Sequence, residues 1–343
     1  METVFTMPAE WEKHRAVWLA WPEDTITFPE RIEKARDAVI EIIRHAAESE
    51  TVKLLVRDEA ARKDIESRLH AHSVNQTQVL FYMADYADVW LRDYGPFFVR
   101  DMKGKLSWLK WRYNAYGFKF GDLLKDDVVF RTLSSVIKEP MVDVPLYMEG
   151  GALESNGMGT LITTKQCLLN ENRNPELSQT QIESILAKYC GAKRIVWLDE
   201  GIINDHTDGH VDDIARFTDK QTILCAYEED ESDLNFNILQ KNYEDLLKAR
   251  DYDGKPFTVV KIPMPHVIYD DGTKAPASYV NFYIANEKVL VPLFNDPNDE
   301  RALAVISSLF PDRACVGIDC SDIIYGGGAI HCMTREEPVI TRQ

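Results

Sequence analysis

Apolar positions recur along the chain at two spacings. Ile32, Ala35, Val39, Ile42, Ile43 and Ala46 fall mostly three or four apart, the spacing that lines one face of a helix. Ala16 to Trp21, ended by Pro22, and Val52 to Val56 are compact apolar runs and predict buried strands. The alternation continues with a helix over Glu59 to Leu69 and strands at Val79 to Tyr82, Phe97 to Val99 and Ser107 to Tyr113. Further helices are predicted at Gly121 to Ile137, Leu177 to Tyr189, Asn235 to Arg250 and Asp299 to Leu309. Between them lie strands at Thr160 to Thr164, Arg194 to Leu198, Thr222 to Ala226, Thr258 to Ile262, Tyr279 to Ile284 and Lys288 to Leu293. The strand and helix grouping recurs at roughly 60 to 70 residues without repeated identities. No Pro/Ser tract, charge block or low-complexity linker divides it, so the pattern predicts one continuous α/β domain over residues 1–343.

Composition narrows the partners more than the fold. The 343 residues are 45% hydrophobic and 28% charged, which is ordinary for a globular protein. The formal net charge of -17, from 56 acidic and 39 basic side chains, argues against nucleic acid, which needs a basic face. A negative field favours a small cationic partner. The six cysteines form no C-x-x-C pair and are too sparse for a disulfide framework. Met1 to Phe5 lacks the basic and apolar regions of a signal peptide, and no apolar run approaches the ~18 residues of a membrane span. A soluble cytoplasmic protein with reduced thiols and no membrane partner is the expectation.

Four stretches break the apolar pattern by setting ionisable groups beside glycine at strand ends. Tyr325-Gly326-Gly327-Gly328-Ala329-Ile330-His331-Cys332 joins three glycines to an imidazole and a thiol. On its own this is compatible with a turn before a strand carrying a buried structural cysteine. In an extended strand His331 would point away from Cys332, so a base for the thiol has to come from elsewhere. Asp88-Val89-Trp90-Leu91-Arg92-Asp93-Tyr94-Gly95-Pro96 sets two carboxylates and an arginine around a tryptophan. Tyr147-Met148-Glu149-Gly150-Gly151 ends an apolar run on a glutamate. Asp205-His206-Thr207-Asp208-Gly209-His210-Val211-Asp212-Asp213 is dense in acid and imidazole, and an extended backbone would turn His210 and Asp212 to one side.

Two chemistries can use this set. His206, His210 and Asp212 could hold zinc or iron. Gly209 inside the interval disfavours the helix that would align the two histidines, and no H-E-x-x-H is present. Alternatively Cys332 is a nucleophile and His210 its acid/base, with Asp93, Glu149 and Asp212 gripping a planar guanidinium through its N–H donors. Such an acidic site would raise the thiol pKa, an objection that a bound cation or protonated imidazole removes.

Together these stretches, with the opening Met7-Pro8-Ala9-Glu10-Trp11-Glu12 and Trp18-Leu19-Ala20-Trp21-Pro22, resemble the agmatine deiminase and bacterial-type peptidylarginine deiminase family. The resemblance runs to Pro338. It implies about five β/α modules around a pseudo-fivefold axis, the propeller of the pentein fold. By position it implies that Cys332 is the nucleophile and His210 the acid/base. It further implies that Asp93 and Asp212 bind the guanidinium beside Glu149, with Trp90 and Asp88 at the pocket wall. It implies no metal or organic cofactor, a possible homo-oligomer, and hydrolysis of agmatine to N-carbamoylputrescine and ammonia. Arginine or peptidyl arginine are alternative substrates; a His/Asp metallohydrolase and a non-catalytic polyamine-binding module are alternative functions.

Overall fold

Five separate sheets repeat one topological unit. A computed structural model of the chain describes residues 5–23 and 26–339. The ends of the expected domain, residues 1–4 and 340–343, lie outside the described residues, as does most of the segment weighed as a signal peptide. In each sheet a short strand pairs antiparallel with the next, which pairs parallel with a third. Glu154–Ser155, Thr160–Thr164 and Arg194–Leu198 form one such sheet. Ala215–Phe217, Thr222–Tyr227 and Thr258–Pro263 form a second, and Tyr283–Ile284, Lys288–Leu293 and Ala314–Asp319 a third. Phe97–Asp101, Leu106–Arg112 and Met141–Tyr147 repeat the unit with Phe5–Thr6 added at the edge. In the last sheet the two chain ends meet: Arg335–Pro338 runs antiparallel to His14–Ala20, which continues parallel to Thr51–Val56 and Val79–Met83.

Parallel neighbours need a crossover, and amphipathic helices supply it. Ile32–Ala46 buries Ala35, Val39, Ile42, Ile43 and Ala46, the face anticipated from spacing, and ends on Arg44 and His45, which suit the negative helix terminus. Gln179–Cys190 starts on a capping box between Ser178 and Gln181 and stops at Gly191, whose φ of 71° is left-handed. Both signals are standard helix punctuation: the box satisfies free N–H groups at the start, and glycine takes the left-handed turn at the end. Phe236–Lys248 and Asp299–Leu309 cross over in the next two sheets. Among the described residues no helix is long and apolar enough to cross a membrane.

Three expectations about elements need correction. The helix predicted over Gly121 to Ile137 is a 3-10 stretch, Gly121–Val128, and one helical turn, Val129–Thr132. Asp122, Lys125, Asp126 and Asp127 interrupt its apolar face, and Asp126 instead accepts hydrogen bonds from the backbone of Ala87 and Asp88. The strand predicted from Tyr279 is confined to Tyr283–Ile284, because Ser278 to Asn281 forms a turn. Cys332 sits on a helical turn, Ile330–Met333, and not in a strand.

Among the described residues six strands escape the pattern: Phe5–Thr6, Met141–Tyr147, Glu154–Ser155, Ala215–Phe217, Ala314–Asp319 and Arg335–Pro338. Each lies at a sheet edge. An edge tolerates Pro145, Gly317 and charge where a central strand would not. In Arg335–Pro338 the acid is also satisfied: fully buried Glu337 accepts from Trp18 Nε1 and Lys53 Nζ, both at 2.7 Å.

Candidate active site

The turn just ahead of the first strand in each sheet carries a polar side chain inward. Asp93 lies in Leu91–Tyr94 ahead of Phe97–Asp101, and Glu149 precedes the turn Gly150–Ala152 ahead of Glu154–Ser155. Asp212 lies in Val211–Asp213, with His210 at its start, ahead of Ala215–Phe217. Cys332 lies in Ile330–Met333 ahead of Arg335–Pro338. All five of these side chains are buried. His210 and Asp212 do converge, though on a helical turn and not on the extended segment expected. Gly151 lies between them: a Cβ there would stand 2.6 Å from His210 Nδ1 and 3.0 Å from both Asp212 oxygens.

The carboxylates differ in what already occupies them. Asp93 Oδ1 accepts from Gly151 N at 3.0 Å and Oδ2 from Tyr116 Oη at 2.8 Å. Burial, reinforced by Asp212 and Glu149, pushes its carboxyl up to about 6 against the pull of His210. Tyr116 makes its contact from a left-handed backbone, φ 58° and ψ 48°. Strain of this kind costs roughly 1–3 kcal/mol, which the surrounding packing has to hold. Glu149 accepts Arg173 Nε at 2.8 and 3.1 Å, and Arg173 also reaches Asp208 and the Thr207 carbonyl. Burial pushes the Glu149 carboxyl up, but Arg173 and His210 outweigh it and leave it below the usual range.

Asp212 Oδ2 accepts from His331 Nδ1 at 2.6 Å, while His331 Nε2 meets Glu10 Oε2 at 2.8 Å. Desolvation opposes ionisation of Asp212, yet His331, His210 and Arg216 hold its carboxyl low. His331 therefore does not point away from the site: the helical turn aims it at Asp212.

Among the described residues, three buried polar atoms at the centre make no well-formed hydrogen bond: His210 Nδ1, His210 Nε2 and Asp212 Oδ1, and Cys167 and Glu149 are the groups placed to bond the His210 ring. The nearest charges to His210 are Asp93 Oδ1 at 3.7 Å and Glu149 Oε2 at 3.9 Å. Burial disfavours the imidazolium, but Asp93, Cys167 and Glu149 outweigh it and raise the ring well above its ordinary value. Cys332 Sγ lies 3.9 Å from Asp212 Oδ2 and 3.0 Å from Asn281 Nδ2. Burial first, then Asp212, Asp213 and Asp93, push its thiol well above the usual range.

A cavity of about 560 Å³ lies beside this cluster; none of Asp93, Glu149, His210, Asp212 and Cys332 lines it, and Tyr116, which bonds Asp93, connects the two. Trp90 and Asp88 line it, with Tyr116, Lys119, Phe120, His206, Tyr325, Gly326 and Gly327. Gly327 has φ +91°, and a Cβ on it would stand 1.9 Å from His206 Cε1, so only glycine fits. Asp88 accepts from Thr27 Oγ1 and from Val89 N, both at 2.8 Å. His206 belongs to this cavity and does not join His210 and Asp212. Among the described residues, the sets of ligand-type atoms within 4.8 Å of one another are Glu149–Cys167–His210, Asp212–Asp213–Cys332 and Glu228–Asp233–His266.

Sequence reasoning misses Asn281, Tyr116 and Arg173. For Asn281 a signal exists: it sits just ahead of Tyr283–Ile284, where the other sheets carry Asp93, Glu149, Asp212 and Cys332.

The family model described as Porphyromonas-type peptidyl-arginine deiminase matches residues 6–338. A Legionella pneumophila protein named "Putative agmatine deiminase" is 36% identical over 336 residues, 97% of this chain and 95% of its own. A solved agmatine deiminase of Enterococcus faecalis, described as catalyzing its reaction, superposes with a TM-score of 0.90 at 30% identity, covering 99% of both chains. A C. jejuni agmatine deiminase with substrate bound superposes at 0.89 and 30% identity, covering 99% of this chain and 98% of its own. The α/β fold is thus the one these enzymes share.

Proposed function

The chain belongs to the Porphyromonas-type peptidyl-arginine deiminase family, and from that premise we propose that it is an agmatine deiminase, hydrolysing agmatine to N-carbamoylputrescine and ammonia through Cys332. The observation that carries this reading is the set of orphaned buried atoms beside a cysteine: both nitrogens of His210 and Asp212 Oδ1. A buried polar group without a partner calls for an explanation, and a ligand that supplies the missing partner is one. A planar guanidinium is a cation with five N–H donors, and Asp212 Oδ1, Asp93 and Glu149 are acceptors for it.

The chemistry follows from those contacts. The guanidinium charge, once between Asp93, Asp212 and Glu149, offsets the carboxylates that hold the thiol up, and Cys332 releases its proton to solvent and becomes the thiolate. The sulfur attacks the guanidinium carbon, forming a C–S bond and a tetrahedral adduct. His210, held as imidazolium, gives its proton to the departing nitrogen; the C–N bond breaks and ammonia leaves. A covalent thiouronium remains on Cys332. Water attacks it with His210 taking the proton, the C–S bond breaks, and the ureido product leaves with the thiolate restored. Acid/base help of this kind contributes ~10²–10⁴ in rate.

The cavity supports agmatine over arginine. Lys119 lines it, but its charge is already paired with Asp208 and its ammonium also donates to the His206 carbonyl, which weakens it as a partner for a substrate carboxylate. Asp88 and Trp90 suit an amine-bearing chain instead. The five sheets with one shared unit support reading the chain as a five-module propeller with pseudo-fivefold symmetry, a single pentein domain over 1–343. The net charge of -17 supports a small cationic substrate and no nucleic-acid partner. We read it as a cytoplasmic enzyme that needs no metal or organic cofactor, with a homo-oligomer possible. A panel of agmatine, arginine and peptidyl arginine, followed by ammonia release and ureido product, tests the reading. Agmatine is expected to be preferred by at least tenfold in kcat/KM; preference for either of the others would overturn it.

A further inference from the structure

Four of the five sheets place their inward turn residue in a role in the mechanism above. The fifth turn, Ser278 to Asn281, has none. It is built as the others are: Asn281 N donates to the Ser278 carbonyl and Val280 N to Ser278 Oγ, and Tyr283–Ile284 follows. Asn281 is fully buried.

Every polar atom of its side chain is used, and the uses converge on the Cys332 turn. Oδ1 accepts from Cys332 N at 3.2 Å. That bond fixes which way the amide faces, because an NH₂ in the same place would oppose a backbone donor. Nδ2 therefore carries its two hydrogens to the other side, where it donates to Asp213 Oδ1 and to Cys332 Sγ, each at 3.0 Å. The Asn281 carbonyl also accepts from His331 N at 3.1 Å, tying the same turn down a second time.

We propose that Asn281 is a further catalytic residue of this site, whose Nδ2–H donor stabilises the thiolate of Cys332. A hydrogen bond to a charged acceptor is about twice as strong as one to a neutral group. The Asn281 donor, 3.0 Å from sulfur, therefore favours S⁻ over SH. The need for it is visible in what else surrounds the sulfur. Asp212 stands 3.9 Å away, and Asp213 and Asp93 add to its field. The Trp90 ring packs over the neighbouring Gly328 and brings no donor to the sulfur. The backbone N–H of Ala329 assists from within the turn, and His331 is spent on Asp212 and Glu10. Asp213 on the far side of the amide is itself pushed well above the usual carboxyl range by burial and by Asp212 and Asp205. Before the substrate cation arrives, Asn281 is the side chain that works against the carboxylates.

The inference rests on Cys332 being the nucleophile, and its test separates the two claims. Wild type, Asn281→Ala and Asn281→Asp are alkylated with iodoacetamide, a neutral reagent, from about pH 6 to pH 10, with modification read at Cys332 by peptide mass spectrometry. Ammonia release from agmatine is measured alongside. Loss of the donor should move the midpoint of Cys332 alkylation up by about one to two pH units. kcat/KM at neutral pH should fall about 10–10²-fold with it. Asn281→Asp keeps an acceptor for Cys332 N, so the turn is preserved, and puts a carboxyl where the donor stood; its shift should be at least as large. If Asn281→Ala does not fold, Asn281→Leu decides, because it removes the donor at similar size and adds no charge of its own. Unchanged alkylation midpoints in folded variants would overturn the proposal, since a purely structural asparagine does not alter thiol ionisation. A wild type that alkylates normally but releases no ammonia from agmatine would sink the deiminase reading and leave the midpoint shift to judge Asn281 by itself.

Discussion

Two buried histidines stand in the same acidic cluster and are held in opposite ways. His331 has both ring nitrogens in hydrogen bonds, to Asp212 and Glu10. His210 is buried as deeply and has neither nitrogen in a well-formed hydrogen bond, with carboxylates standing off at 3.7 and 3.9 Å. A ring saturated by the protein is locked and orients what it touches; here it turns Asp212 so that Oδ1 is left open. An unsaturated buried ring is unfavourable for the free protein, and on the proposed reading the substrate offsets that cost. The sequence places His331 beside Cys332 and His210 far from it, yet on the proposed reading the distant histidine is the one that moves a proton.

The sharpest way to break this contrast is to replace each ring in turn. His210→Gln should lower kcat by about 10³-fold or more, with the fold intact by circular dichroism, because the acid/base is gone. His331→Asn should lower kcat/KM by only about 10–10²-fold, mainly through KM, since Asp212 loses its orientation and not its charge. The same change should destabilise the protein more than His210→Gln does in thermal melts. It strands two buried carboxylates, a loss of roughly 3–5 kcal/mol for breaking such a pair. If the two variants exchanged these signatures, the assignment of roles would be reversed.

A smaller effect comes from pH. The carboxyl of Asp93 is pushed up to about 6 by burial, above the ~3.9 of an unfolded chain. Its contribution to the stability of the free protein is therefore complete below about pH 4 and lost as pH rises through about 6. A guanidinium reverses that preference by favouring the carboxylate. The rise in melting temperature on adding agmatine should accordingly be larger at pH 7.5 than at pH 5, and KM should climb several-fold below pH 6. A ligand-induced shift that is flat with pH would show that Asp93 does not meet the cation.

The same contrast explains what is legible in the sequence. Asp93, Glu149, His210, Asp212 and Cys332 stand out because ionisable residues next to glycine interrupt an apolar pattern. Asn281 follows Ser278-Tyr279-Val280 with no glycine and no charge, so it passes for the start of a strand. Its role depends on closure of the fifth sheet over the Cys332 turn, which no local pattern records. Tyr116 and Arg173 are hidden for a related reason: each meets its carboxylate from a segment distant in sequence, through a left-handed backbone in one case and full burial of a cation in the other. The edge strands escape because an edge accepts proline, glycine and charge. His331 is misplaced when backbone conformation is guessed from sequence alone, since a strand would turn it away and a helical turn does not.

The most direct test is the mass of the enzyme during turnover. Wild type mixed with agmatine and quenched in acid should carry an adduct on Cys332 equal to agmatine less ammonia, while Cys332→Ala shows no adduct and releases no ammonia. Ammonia release by Cys332→Ala at the wild-type rate would contradict the account.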